Sequence, residues 1–125
     1  MLTKEQILAV KDITYETVPV PEWGGEVRIK VLSGEERDAF EDSILRGQKT
    51  DMRNVRAKLC ARVIVDGDGK RMFSDQEINK LAAKSSVALD RIFSAAQRLN
   101  RLRAEDVEEM VKNSGSVQDD ASISD

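Results

Sequence analysis

Residues 13–36 read ITYETVPVPEWGGEVRIKVLSGEE, and they hold two strands, the turn between them and the start of a long helix. Thr14, Tyr15, Thr17, Val18 and Val20 are β-branched or aromatic and suit extended backbone. Pro19 and Pro21 lack an N–H donor, so this first strand belongs at a sheet edge or stops near Val18. Residues 21–25 form the turn, with Pro21 fixing the entry and Gly24 and Gly25 expected to supply positive φ. Residues 26–32 then alternate cleanly. Val27, Ile29 and Val31 point one way, Arg28 and Lys30 the other, so one face is buried and one solvated. A lone hairpin of this kind is not stable in water, and its apolar face needs helices to cover it.

The same stretch closes on a helix start. Ser33 can accept from the backbone at Glu36 while Glu36 reaches back to Ser33, a capping box. The helix is expected over residues 34–46, with Phe40 and Ile44 on one face, Arg37 and Glu41 as charged neighbours, and Gly47 ending it. On the other side of the hairpin, residues 3–10 read as a short helix capped by Thr3 with Gln6 at the third position. It is too short to persist without docking.

Further along, residues 48–51 are a polar connection. Met52, Val55, Leu59 and Val63 recur at helical spacing, predicting a helix over residues 52–63. Val63, Ile64 and Val65 are β-branched and also suit a short strand. Residues 66–69, Asp-Gly-Asp-Gly, are a turn, with Met72 and Phe73 as a return arm. Helix-into-loop and a second small hairpin are both open here. Ser74 and Glu77 make another capping box, opening a helix with Ile78, Leu81 and Ala82 inward. Ser85 and Ser86 begin the strongest helix, with Leu89, Ile92, Phe93, Ala96 and Leu99 as its apolar stripe. A last short helix is expected over residues 104–112. Residues 113–125 are small, polar and aperiodic, and are read as a disordered tail. The fold class is therefore α+β, mainly α: a β-hairpin packed on a bundle of about four to five helices, one domain over residues 1–112 and a tail beyond it.

Composition narrows the functions. The 125 residues are 40% hydrophobic, 34% charged and only 4% aromatic. Lys plus Arg number 20 and Asp plus Glu 23, a net charge of −3, without the basic excess of a dedicated nucleic-acid binder. There is no histidine, which removes histidine bases and ligands. The one cysteine, Cys60, sits in an apolar periodic segment and reads as a core residue rather than a nucleophile. No apolar run approaches the roughly 18 residues of a membrane span, and no targeting signal is visible. A single unpaired cysteine fits a reducing compartment.

The remaining motifs are weak as chemistry. Asp66, Asp68 and Glu77 sit at calcium-loop spacing, but Lys70 and Arg71 stand where an oxygen ligand and a glycine are needed. Acidic runs at 75–77 and 105–109 are read as solvated helix starts. No phosphate loop or nucleophile elbow is present. Arg91, Arg98, Arg101 and Arg103 line the strongest helix, flanked by Asp90, Glu105 and Asp106, and read as a solvated face or a protein contact. Trp23 on the hairpin turn has two open readings: a plug folded back over the hairpin, or an anchor at an interface.

Three series carry a family likeness: VPEWGGEVRI continued by LSGEERDAFE (20–29 and 32–41), CARVIVDGDGK (60–70), and Phe73-Ser74-Asp75, Leu81, Lys84-Ser85, Ala88-Leu89-Asp90-Arg91-Ile92-Phe93 and Ala96-Gln97-Arg98-Leu99-Asn100. In this order they resemble the phage tail assembly chaperones of long-tailed phages and prophages, over about residues 7–112. The resemblance implies a non-enzymatic protein without metal or cofactor that binds the tape measure protein, and the tail tube protein as a further partner, in the host bacterial cytoplasm. It also implies absence from the finished virion and a frameshifted longer form of the same protein. Self-association is a further option, and neither nucleic acid nor membrane is an expected partner. The residues expected to carry the contact are Trp23, Val27 and Ile29 on the hairpin and Ile92, Phe93 and Leu99 on the main helix, the last three having plain core as the alternative. Competing readings are a structural tail or head-completion protein retained in the particle and a small nucleic-acid-binding regulator.

Overall fold

The computed structural model describes residues 1–46, 49–50 and 52–102. The chain runs α1 (Lys4–Ala9), β1 (Tyr15–Val20), β2 (Gly25–Lys30), α2 (Gly34–Ile44), β3 (Leu45–Arg46), β4 (Lys49–Thr50), α3 (Val55–Val63), β5 (Ile64–Val65), α4 (Ile78–Ala82) and α5 (Ser86–Leu99). The fold is α+β and mainly α, as the sequence predicts. The helix expected at 104–112, the tail at 113–125, Arg103, Gly47, Gln48 and Asp51 lie outside the described residues.

β1 and β2 pair antiparallel in register from Tyr15↔Lys30 to Val20↔Gly25. β1 continues through Pro19, and it can do so because it lies at the edge, where the missing donor faces no partner strand. The turn is a single 3₁₀ turn, Pro21–Trp23, closed by Gly24 at φ 71. Gly25 is the first residue of β2 and has no positive φ, so one left-handed glycine suffices where two were expected.

The open choice at Val63 to Val65 resolves as both alternatives in sequence. α3 runs to Val63, and Ile64 and Val65 then pair with Ile29 and Arg28. This third strand makes β2 central. The chain turns back at once: the Asp66 N–H donates to Lys70 O at 2.8 Å, and Met72 N to Ile64 O at 3.1 Å. The Asp-Gly-Asp-Gly loop is held by Asp66 itself, whose Oδ1 accepts from the Asp68 and Lys70 N–H groups. Those hydrogen bonds hold its carboxyl below the usual carboxylate range. Among the described residues no acidic, cysteine or histidine cluster is arranged to hold a metal.

Two helix boundaries differ from expectation. α3 begins at Val55 rather than Met52, because Asn54 adopts the left-handed conformation (φ 58) and ends a turn closed by Val55 N to Met52 O. Asn tolerates that region better than most residues. α2 stops at Ile44, since Leu45 and Arg46 leave the helix to pair with Thr50 and Lys49. The capping boxes at Thr3/Gln6 and Ser33/Glu36 form as read. At Ser74 the Glu77 carboxylate accepts from both the Ser74 N–H and its hydroxyl, over a 3₁₀ turn that runs into α4.

α5 lies across the inner face of β1 and β2 and packs on α3. The largest fully buried side chains are Val20, Ile29, Phe40, Ile44, Leu59, Cys60, Val63, Ile64, Val65, Ile92 and Leu102. Each large member contributes about 1.5–3 kcal/mol relative to exposure. Cys60 is one of them, and burial pushes its thiol up to about 12. It is a core residue in a position where a thiolate does not form.

Candidate interaction surface

Trp23 is placed by its turn. Pro21 and Gly24 shape the turn, with Gly24 N donating to Pro21 O at 3.0 Å. Glu22 fastens it to α5 through a two-pronged ion pair: Arg91 Nε to Oε1 at 2.8 Å and Nη2 to Oε2 at 2.9 Å. The Arg91 hydrogen bond is the main reason the Glu22 carboxyl sits below its ordinary range. Trp23 is half-buried and packs on the edge of the core. It is thus neither a closed plug nor a free projection: one part of the ring is anchored and the rest faces a groove.

That groove has a volume of about 410 Å³ and is lined by Trp23, Phe73, Lys80, Leu81 and Lys84. Its second aromatic wall, Phe73, sits on the return segment after β5. Arg71 holds this segment, its Nε donating to Ala61 O at 2.9 Å and its Nη2 pairing with Asp75 at 2.6 Å. Arg62 also reaches Asp75, at 3.4 Å. The Arg71 hydrogen bond is the largest influence that holds the Asp75 carboxyl low. Leu81, from α4, supplies the floor and is 3% exposed. Two aromatic walls, an aliphatic floor and two exposed lysines make an acceptor for apolar side chains, with a rim that favours acidic neighbours.

The other expected contact residues lie elsewhere. Ile29 and Ile92 are 0% exposed and face each other's layers inside the core, so they have no surface to offer. Both lie in the middle of their apolar stripes, where packing is tightest. Val27, Phe93 and Leu99 are half-buried and lean on the core. Phe73, Leu81, Lys80 and Lys84 are not among the contact residues expected from the sequence. Trp23 lies some fifty residues from them in the chain, and no local spacing signals the meeting.

The arginine row on α5 is committed to the hairpin. Arg91 pairs with Glu22 and Arg98 with Glu16, the latter at 2.6 Å. A second cavity of about 330 Å³, between β1 and α5, is bordered by these pairs. Two of the guanidinium groups that could have gripped phosphates, Arg91 and Arg98, already have carboxylate partners, which favours the reading of a solvated, paired face on α5.

A third apolar feature is α1. It has no buried residue, and Ile7, Leu8 and Val10 are 56%, 75% and 54% exposed. No described helix is long and apolar enough to cross a membrane.

Residues 3–113 match the family described as phage tail assembly chaperone. Among solved structures the chain is similar to the tail assembly chaperone of bacteriophage HK97. The TM-score is 0.55 and the identity 24%, over 76% of this chain and 90% of that one. At that identity the likeness speaks for the fold. No curated protein matches the chain.

Proposed function

The chain belongs to the phage tail assembly chaperone family, and on that footing we propose that it binds the tape measure protein during tail assembly. The observation that carries this reading is the groove of Trp23, Phe73 and Leu81, rimmed by Lys80 and Lys84. A long helical client needs many weak, reversible apolar contacts and no bond chemistry. A groove that takes one or a few side chains per copy supplies them, and repeated copies along one client add avidity. The groove is held open by ion pairs and turns rather than by the client, so binding costs little ordering. Trp23 is the contact residue, with the half-buried Val27, Phe93 and Leu99 as further contacts on this reading. The tail tube protein and a longer form of the same protein are further partners on this reading. The protein acts in the host cytoplasm and is left out of the mature particle.

Co-expression with the tape measure protein tests this. The wild-type chain should keep it soluble and co-purify with it. Trp23→Ala, verified as folded, should lose most of that recovery, while Val87→Ala on the exposed side of α5 should not. Equal recovery with Trp23→Ala would remove the groove from the contact. Stoichiometric copies in purified virions would favour a structural tail component instead.

A further inference from the structure

We propose that the chain's own residues 113–125 occupy the Trp23 groove until a client displaces them. The groove has charge left over. Among the described residues neither Lys80 nor Lys84 forms an ion pair, whereas Arg62, Arg71, Arg91 and Arg98 are each matched to a carboxylate. Glu77 feels the Lys80 charge, but its carboxylate is already engaged by the Ser74 N–H and hydroxyl. Two exposed ammonium groups therefore rim an apolar site made by Trp23, Phe73 and Leu81. Such a site fits an aliphatic side chain with carboxylates close beside it in sequence. Residues 113–125, which lie outside the described residues, have that pattern. Their charged residues are Asp119, Asp120 and Asp125, with no Lys or Arg. Their large apolar residues are Val117, just ahead of Asp119, and Ile123, between Asp120 and Asp125.

Topology allows the return. α5 begins at Ser86, close after Lys84 on the groove rim, and Leu102 is buried beyond its other end, where Asn100 is tied to Leu32. The 14 residues of α5 measure about 21 Å, which is the separation to be crossed. Residues 104–112 are also acidic and apolar, but as the helix read from their sequence they span only about 14 Å. Residues 103–117 span about 22 Å as a continuous helix and about 50 Å extended, so Val117 reaches the groove in either form. A tether of this length gives a local concentration in the millimolar range, so a contact too weak to hold a free peptide is still populated. The carboxylates set the register and the apolar side chains do the holding, since charge pairs exposed to water contribute little. A client that presents the same chemistry many times over displaces the segment from each copy in turn. Until then the segment covers apolar surface that would otherwise be open to adventitious contacts. The inference rests on the groove being an acceptor for apolar groups, as in the functional reading, and is tested apart from it.

The test is zero-length carbodiimide cross-linking of the full chain, which joins a lysine amine to a carboxylate only on contact, with the joined peptides mapped by mass spectrometry. Asp119 and Asp120 should join to Lys80 and Lys84 at several times the yield seen at Lys4 and Lys11. Lys11 shortly precedes Tyr15, which pairs with Lys30 at the Asn100 end of α5, so a segment moving at random would favour Lys11 instead. Val117→Ser combined with Ile123→Ser should bring the Lys80 and Lys84 yield down to the Lys4 and Lys11 level, and Trp23→Ala should do the same. If Trp23→Ala does not fold, the serine pair carries the test alone. In an equal mixture of isotope-labelled and unlabelled chains, each joined peptide should carry one label, because both partners belong to one chain. Equal yields at all four lysines, an unchanged yield in either folded variant, or joined peptides of mixed label each overturns the proposal. The serine pair should also capture the tape measure protein about twofold more tightly where the wild-type groove is half filled. Weaker capture by the serine pair would overturn the proposal too, since the segment would then be assisting the client. Trp23-dependent capture without the Lys80 and Lys84 cross-links removes this proposal and leaves the functional reading standing. The cross-links without such capture do the reverse.

Discussion

Asn100 Oδ1 accepts the backbone N–H of Leu32 at 2.7 Å, tying the end of α5 to the segment between β2 and α2. The same side chain donates to Ala96 O at 3.0 Å and to Lys30 O at 3.4 Å, and Arg37 donates to the Asn100 carbonyl. Asn100 is only 9% exposed. One amide thus satisfies a buried donor and two carbonyls where three elements meet. Asn100→Ala leaves the Leu32 N–H buried without a partner, and unfolding in urea should show a loss of about 1–3 kcal/mol. An unchanged midpoint would mean that water enters and replaces the amide.

Glu36 holds the start of α2 in two ways. Its Oε1 accepts from Ser33 N at 2.8 Å, completing the capping box, and its carboxylate pairs with Lys30 at 2.7 Å. Burial by itself raises the Glu36 carboxyl, but the bonds from Lys30 and Ser33 outweigh it and the group ends below 4.5. A carboxyl lowered in the folded state stabilises above its unfolded value and loses that contribution as pH falls through the folded value. Glu36→Gln keeps the cap and removes the charge pair. At pH 7 it should cost about 1 kcal/mol or less. The gap from wild type should narrow as the pH drops below 4.5. A gap that is constant with pH would assign the whole effect to packing.

How much of this was legible in the sequence follows from the range of the interactions. The capping boxes at Thr3/Gln6 and Ser33/Glu36 and the alternation of Val27, Arg28 and Ile29 act over a few residues, and all could be read directly. The stripe on α5 could be read too, but not which of its members faces outward. That depends on how α5 crosses the sheet, and Ile92 lies at the crossing while Phe93 lies beside it. Ile64 and Val65 form a strand only because β2 presents a free edge. The groove is the least legible part: Trp23, Phe73 and Leu81 come from three separate elements, brought together by the sheet and by the Arg71–Asp75 pair.

Gly69 and Gly67 stand two residues apart in one loop and should respond differently to alanine. Gly69 has φ +81, and a Cβ there would lie 2.7 Å from the Tyr15 hydroxyl. The Tyr15 ring is itself stacked under the Arg28 guanidinium at 4.0 Å, and Arg28 donates to Gly67 O at 2.9 Å. Gly69→Ala should lower stability by about 1 kcal/mol or more. Gly67 has nothing within 4 Å of such a Cβ and an ordinary φ, so Gly67→Ala should be near neutral. Denaturant midpoints at equal slope are the measurement. In a Tyr15→Phe background the Gly69→Ala cost should shrink, because the hydroxyl at 2.7 Å is gone while the ring carbon Cζ at 3.2 Å and the backbone strain remain. Equal costs in both backgrounds would show that the hydroxyl contributes none of it.

The Glu22–Arg91 pair should control the groove more than the stability. Both side chains are substantially solvated, 26% and 46% exposed, and exposed pairs of this kind contribute little to folding. Arg91→Ala should therefore leave the thermal midpoint almost unchanged. The pair does, however, fix the turn that carries Trp23, and Trp23 is the only tryptophan, so its fluorescence reports on that turn alone. Removing Arg91 should shift the emission to the red and increase quenching by acrylamide. The pH dependence gives an independent check. Arg91 lowers the Glu22 carboxyl, so in wild type the turn should stay fastened as pH falls through 4.5 and release only below it. In Arg91→Ala that acid step should be absent, because there is no pair left to break. An acid step of the same size in both proteins would show that other carboxylates, not Glu22, hold Trp23 in place.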